Sequence, residues 1–224
     1  LPVSLKIRLA VWFSITGDLR FLSHRETMRL WQRALVRAAV PARYTQGFNP
    51  HLLISLPLPR SVGLAGEQEL LLVKIDRPCQ PEEIAPRLQG QLPAGLQIVA
   101  IRLVPDEIAP LAQWARYCCR LSSQVDGKGL SRRINEFENS TIWQVHRSAR
   151  GRHPKRTIDL KKTLAELEHR GQCLFYTIRI DREATARNDE VLAMLEINDP
   201  DLVEEVVRLQ TGYPAELSLP NYSN

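Results

Sequence analysis

Residues 5–41 read LKIRLAVWFSITGDLRFLSHRETMRLWQRALVRAAVP. The first nine, LKIRLAVWF, alternate as a half-buried strand does. Thr16-Gly17-Asp18 breaks the run as a turn. Ser23-His24-Arg25-Glu26 then has the spacing of a capping box. The Ser23 side chain and Glu26 can each satisfy one of the orphan amides that open a helix. The helix is predicted to run to about Ala39, with Pro41 preventing continuation. Met28, Trp31, Leu35 and Ala38 form its apolar face.

Working outward, Tyr44-Thr45-Gln46-Gly47-Phe48-Asn49-Pro50-His51 is loop chemistry. Gly47 can adopt a positive φ, and Pro50 pushes Asn49 toward extended backbone. Residues 52–56 (LLISL) and 68–75 (QELLLVKI) read as strands joined by a Pro/Gly-rich connection. Pro81–Gln89 reads as a short helix with proline in its first turn, and Leu96–Val104 as a strand. The order β-α-β-β-α-β is the ferredoxin-like signature. The predicted fold class is therefore α+β, with a ferredoxin-like βαββαβ unit over residues 1–108.

Residues 105–110 look like a linker, and a second α+β domain, less regular and possibly ferredoxin-like, is expected over 109–224. Its predicted elements are a strand at 116–123, a helix at 128–138 and a strand at 141–147. A further strand follows at 173–180, with helices near 188–196 and 200–209. Segment 158–170 has no decisive pattern, and the tail after Gly212 is expected to be loose. No sequence repeat links the two halves.

The chain has 224 residues, 44% of them hydrophobic, enough for real cores. No apolar run approaches the roughly 18 residues that cross a bilayer, and the first residues lack a signal-peptide pattern. A cytoplasmic protein is the expectation. There is no initiator Met, and a piece of a longer chain is the expectation. Cys79, Cys118, Cys119 and Cys173 form no CxxC pair, which argues against a zinc or iron–sulfur site. They read as buried small hydrophobes in a reducing compartment.

Net charge is +5, a mild excess that permits a nucleic-acid partner without demanding one. Its distribution is more informative. Arg25, Arg29, Arg33 and Arg37 recur every four residues on the first helix. They form a slowly winding stripe about 18 Å long, bracketed by Arg20 and Arg43. A solvated helix face is the bland reading, but like charges at that spacing repel, and only Glu26 offers an acid within the helix. Guanidinium forks are suited to phosphates. The second basic feature is 139–158, which has no acid but carries Arg147, Arg150, Arg152, Lys155 and Arg156. Within it the stretch 146–156, HRSARGRHPKR, reads as a loop that could order on RNA, with Trp143 and Tyr117 near enough in sequence to stack bases.

A third constellation pairs Ser23 and His24, at the helix start, with Gln46, Gly47, Phe48, Asn49, Pro50 and His51. A helix N-terminus beside a glycine-containing loop could hold an anion. The two groups meet only if 41–51 doubles back, because the loop follows the helix's far end. None of the GxSxG, HExxH, P-loop or GxGxxG motifs occurs. His24 could act as a general base, yet no nucleophile is indicated.

Phe13–His24 (FSITGDLRFLSH), Met28–Pro41 (MRLWQRALVRAAVP) and Tyr44–His51 (YTQGFNPH) resemble a specific family: the radical-SAM-linked domain of unknown function. It occurs beside, or fused C-terminally to, cobalamin-binding-type radical SAM proteins. Glu69 fits an acidic position on the third strand. Thr157-Ile158-Asp159-Leu160-Lys161 resembles a late T-x-D-L/I-R/K element. The family's S-H-L-D becomes Ser23-His24-Arg25-Glu26 here, which keeps the capping acid, and its Pro after His51 becomes Leu52. The resemblance implies a radical SAM partner in cis or trans. The iron–sulfur cluster and S-adenosylmethionine would sit in that partner, because the CxxxCxxC ligands are absent from this chain. Members' genetic neighbourhoods imply RNA. The expected function is thus a non-catalytic RNA-binding domain presenting substrate to the partner, with no cofactor or metal of its own and no membrane. Two alternatives stay open: a metal-independent RNA-processing enzyme using His24 or His51, and a protein–protein adaptor.

Overall fold

The computed structural model describes residues 6–147, 156–181 and 184–219. The chain divides into two compact units. One comprises Leu1–Ala112 with Gln210–Asn224, the other Gln113–Leu209. The expected boundary at 108/109 therefore lies a few residues later, and the last residues return to the first unit.

In the first unit the strands are β1 (Ile7–Ile15), β2 (Ile54–Ser55), β3 (Leu64–Lys74) and β4 (Leu96–Pro105), and the helices are α1 (His24–Arg37) and α2 (Pro81–Gln89). β1 lies between β4 and β3, antiparallel to both, and β2 pairs antiparallel with β3. The strand order β4-β1-β3-β2, with a helix after β1 and after β3, is the ferredoxin-like arrangement expected from the sequence. Both faces of β1 are buried. Leu9, Val11, Phe13 and Ile15 join the core under the helices, with Trp31, Leu35, Leu71, Ile84 and Leu88. Phe13 and Trp31 meet edge to face, ring centroids 4.8 Å apart. On the opposite side, Ala10, Trp12, Leu70 and Leu72 pack with Tyr213 and Leu217. That packing corrects the expectation of a loose tail for residues 213–219. Leu217 is fully buried, and Arg102 lies 4.5 Å over Trp12 while donating to Ser218 O at 2.6 Å.

The capping box is formed. Glu26 N donates to Ser23 Oγ at 3.3 Å, and Ser23 N donates to Glu26 Oε2 at 2.8 Å. The helix ends when Ala39 turns left-handed, φ 50°. β2 is shorter than the expected strand 52–56. Pro57 and Pro59 follow it, and a proline has no amide for the ladder. Leu52 instead bridges Tyr44.

The second unit contains β5 (Trp114–Leu121), α3 (Gly127–Asn139), β6 (Gln144–Arg147), β7 (Arg156–Asp159), α4 (Leu160–Thr163), β8 (Leu164–Arg170), β9 (Cys173–Arg179), α5 (Asn188–Met194) and β10 (Val203–Gly212). Only residues 210–212 of β10 fall in the first unit. The strand order is β10-β5-β9-β8. This is the ferredoxin-like order again, with the two-stranded β6–β7 hairpin and α4 inserted between the first helix and the second strand. Segment 158–170, untyped from sequence, holds the end of β7, all of α4 and all of β8. Asp159 organises it by accepting from Trp143 N at 3.0 Å and Lys161 N at 3.1 Å.

The expected helix at 200–209 is wrong: a 3-10 turn over Pro200–Leu202 leads into β10. Val203, Val206, Val207 and Leu209 fit helical spacing, yet the chain completes the sheet beside β5. β-Branched Val203, Val206 and Val207 suit that pleated surface. Among the described residues no helix is long and apolar enough to cross a membrane.

Candidate nucleic-acid interface

α1 presents Thr27, Trp31, Ala34 and Leu35 to the core, with Met28 half-buried. That anchoring rotates Arg25, Arg29, Arg33 and Arg37 to the exposed side, where all four stand in solvent. Among the described residues none of the four is in an ion pair. Arg29, Arg33 and Arg37 line a groove whose opposite wall is the turn Gly90–Pro93 after α2, with Leu30 and Ala34 as its apolar part. Glu26 also borders the groove, but its carboxylate is committed to the cap. Hydrogen bonds from the Ser23 hydroxyl and amide hold it below the usual carboxylate range, with a smaller contribution from Arg29. The groove therefore offers three exposed guanidiniums in a row, none in an ion pair among the described residues, rising about 6 Å per step.

The other basic residues fare differently. Arg20 is half-buried, 4.9 Å over the Phe21 ring. Arg43 is half-buried and donates to Ile75 O at 3.4 Å. Arg147, expected to contact RNA, is instead structural. Its guanidinium grips the Glu190 carboxylate through two nitrogens and also donates to Thr185 O at 2.6 Å. This ties the β6–β7 hairpin to the start of α5. Arg156 is exposed on β7, whereas Arg150, Arg152 and Lys155 lie outside the described residues. Neither aromatic proposed to help them is free. Tyr117 is buried and stacked on Tyr176 at 5.4 Å. Trp143 lies 5.8 Å from Phe137, with Arg133 5.0 Å from its ring.

The Ser23-His24 and Gln46–His51 groups are not brought together. His24 opens α1 beside the end of β1 where Ile15 faces Gly66, while the loop 44–51 hangs from the Lys74 end, where Arg43 N donates to Lys74 O. Eight residue steps along β3 lead from Gly66 to Lys74, about 26 Å at strand rise. His24 instead borders a small pocket with Thr27, Arg60 and buried Glu69. Glu69 faces the helices from β3, a placement its bare sequence context does not reveal. His51 is exposed at the loop, its amide donating to Thr45 Oγ1 at 2.9 Å.

All four cysteines are free, and burial pushes the Cys119 thiol up to about 12, with the neighbouring Cys118 and Cys173 adding to it. On β5, Cys118 and Cys119 point to opposite faces. Among the described residues no group of three or more His, Cys, Asp or Glu could hold a metal ion.

These features define the class: an α+β protein of two ferredoxin-like units, the first carrying an arginine-lined groove along its first helix. Residues 8–194 match the family described as "Uncharacterized protein conserved in bacteria (DUF2344)", and the chain belongs to that family. No curated protein matches it significantly. Among solved structures it is similar to a chain of a Cbf5-Nop10-Gar1 complex, at 10% identity and a TM-score of 0.44. That similarity spans 91% of this chain and 49% of the other, so it takes in about half the length of that chain.

Proposed function

We propose that this protein is an RNA-binding module without catalysis of its own, which holds RNA for a radical SAM enzyme. The observation that carries the reading is the row Arg29, Arg33 and Arg37 along an open groove with no ion pair among the described residues. Guanidiniums left without carboxylates on a rigid helix suit a phosphate backbone, where each can make a bidentate, charge-assisted contact. The radical SAM partner rests on the sequence resemblance at Phe13–His24 and Tyr44–His51. In this reading the iron–sulfur cluster and S-adenosylmethionine belong to that partner, since no CxxxCxxC ligand set occurs in this sequence. The test is a salt titration of binding to a labelled single-stranded RNA. The logarithm of affinity should fall linearly with the logarithm of salt. An affinity indifferent to salt, or none at low salt, refutes the reading.

A further inference from the structure

The loop 44–51 carries a feature the groove does not explain. Phe48 stands entirely in solvent, 106% exposed, at the tip of a loop whose neck is tied. Thr45 N donates to His51 O at 2.8 Å, His51 N donates to Thr45 Oγ1 at 2.9 Å, and Leu53 N donates to Arg43 O at 2.8 Å. Tyr44 bridges Leu52 just below. Gly47 at the tip has φ 124°, and nothing lies within 4 Å of where its Cβ would be. Glycine is there for backbone conformation, not for space. The neck thus holds an aromatic ring away from its own core, where it contributes nothing to folding.

Three observations identify what the ring meets. First, Gln46 and Asn49 flank it, both exposed. Each carries an amide that can donate and accept, which matches the edge of an unpaired base. Second, the loop lies at the end of the first unit toward which the arginine row runs. Arg37 is the last residue of α1, and Arg43 N is hydrogen-bonded to Lys74 O at the loop's root. Third, the surrounding charge favours a polyanion. Exposed Arg37 and Arg77 and half-buried Arg43 outnumber exposed Asp76, and Lys74 is paired with Asp106 at 2.9 Å.

We infer that Phe48 is a base-stacking residue. It takes one unpaired base of a single-stranded RNA whose phosphates follow the α1 arginines, with Gln46 and Asn49 reading the base edge. This deepens the RNA-binding reading above and rests on it. An apolar pocket on a protein partner is the competing occupant, and the experiment separates the two.

The probe is a short single-stranded RNA containing 2-aminopurine, whose fluorescence changes on stacking, with a blunt duplex of the same sequence as control. The full chain should shift that fluorescence. Phe48→Ala should abolish the shift and weaken single-strand binding about fivefold or more. The salt slope should not change, because the ring carries no charge. Phe48→Trp should restore binding, and Phe48→Leu should not, because stacking needs a π face and mere apolarity does not supply one. Duplex affinity should be the same in all variants. The inference is overturned if Phe48→Ala binds the single strand as the parent does, or if Phe48→Leu retains full affinity. It is also overturned if the alanine and tryptophan variants both melt lower, since the ring would then be packing within the chain. A parent that binds no RNA at any salt overturns the RNA reading itself, an outcome distinct from the others.

Discussion

Replacing Arg29 and Arg33 together with alanine tests the groove most directly. Both side chains are exposed and line the groove, and neither is in an ion pair among the described residues. Exposed charges contribute little to stability, about 0 to 1 kcal/mol, so the double variant should melt within a few degrees of the parent. Its RNA binding should differ sharply. On a single strand each phosphate contact contributes about −0.7 to the slope of log affinity against log salt. Two lost contacts should flatten the slope by roughly 1.4 units. Between 50 and 200 mM salt the parent should then lose about sevenfold more affinity than the variant. The weakening should be similar for every RNA sequence, because phosphates carry no sequence information. The assay is fluorescence anisotropy over a salt series, with thermal melting in parallel. An unchanged slope refutes the groove as a phosphate track. A variant that unfolds shows that the arginines are structural, and the adaptor reading then takes first place.

Other perturbations test the frame. Glu190→Gln should cost the second unit about 2–4 kcal/mol, because it leaves the Arg147 guanidinium without its carboxylate, read as a lower denaturation midpoint. Burial pushes Glu190 up, but the hydrogen bond from Arg147, the Arg187 amide and both positive charges outweigh it and hold the carboxyl below its usual range. A carboxyl depressed in the folded state stabilises fully above its unfolded pKa, about 4.3. The parent should therefore lose this stability as pH falls below about 4. The glutamine variant should show a shallower acid limb in melting temperature against pH. Gly95→Ala should destabilise the first unit by roughly 1–3 kcal/mol. The residue has φ +89°, and an added Cβ would lie 2.9 Å from Thr16 O; denaturant titration reads the loss. Ala39→Gly should raise the melting temperature, adding up to about 1 kcal/mol, because φ 50° is unfavourable for alanine and ordinary for glycine.

The first unit was largely legible in the sequence because its signals are local. Alternation over 5–13, the Ser23/Glu26 cap and the apolar spacing through Trp31 and Leu35 each specify an element from neighbours a few residues apart. The exposure of the α1 arginines follows from the same spacing, since burying one face of a helix exposes the other. What the sequence could not decide depends on partners distant in the chain. Residues 203–209 have helical spacing in isolation, and only the need of β5 for a neighbour makes them a strand. Arg147 looks free until Glu190, 43 residues on, is folded against it. Ser23-His24 and Gln46–His51 share one dense motif, yet β1 and β3 carry them to opposite ends of a sheet. Residue type and spacing report what a segment prefers within a turn or two. Which charges are satisfied, which aromatics are covered and which motifs meet are set by long-range pairing, and that exists only once the chain has folded.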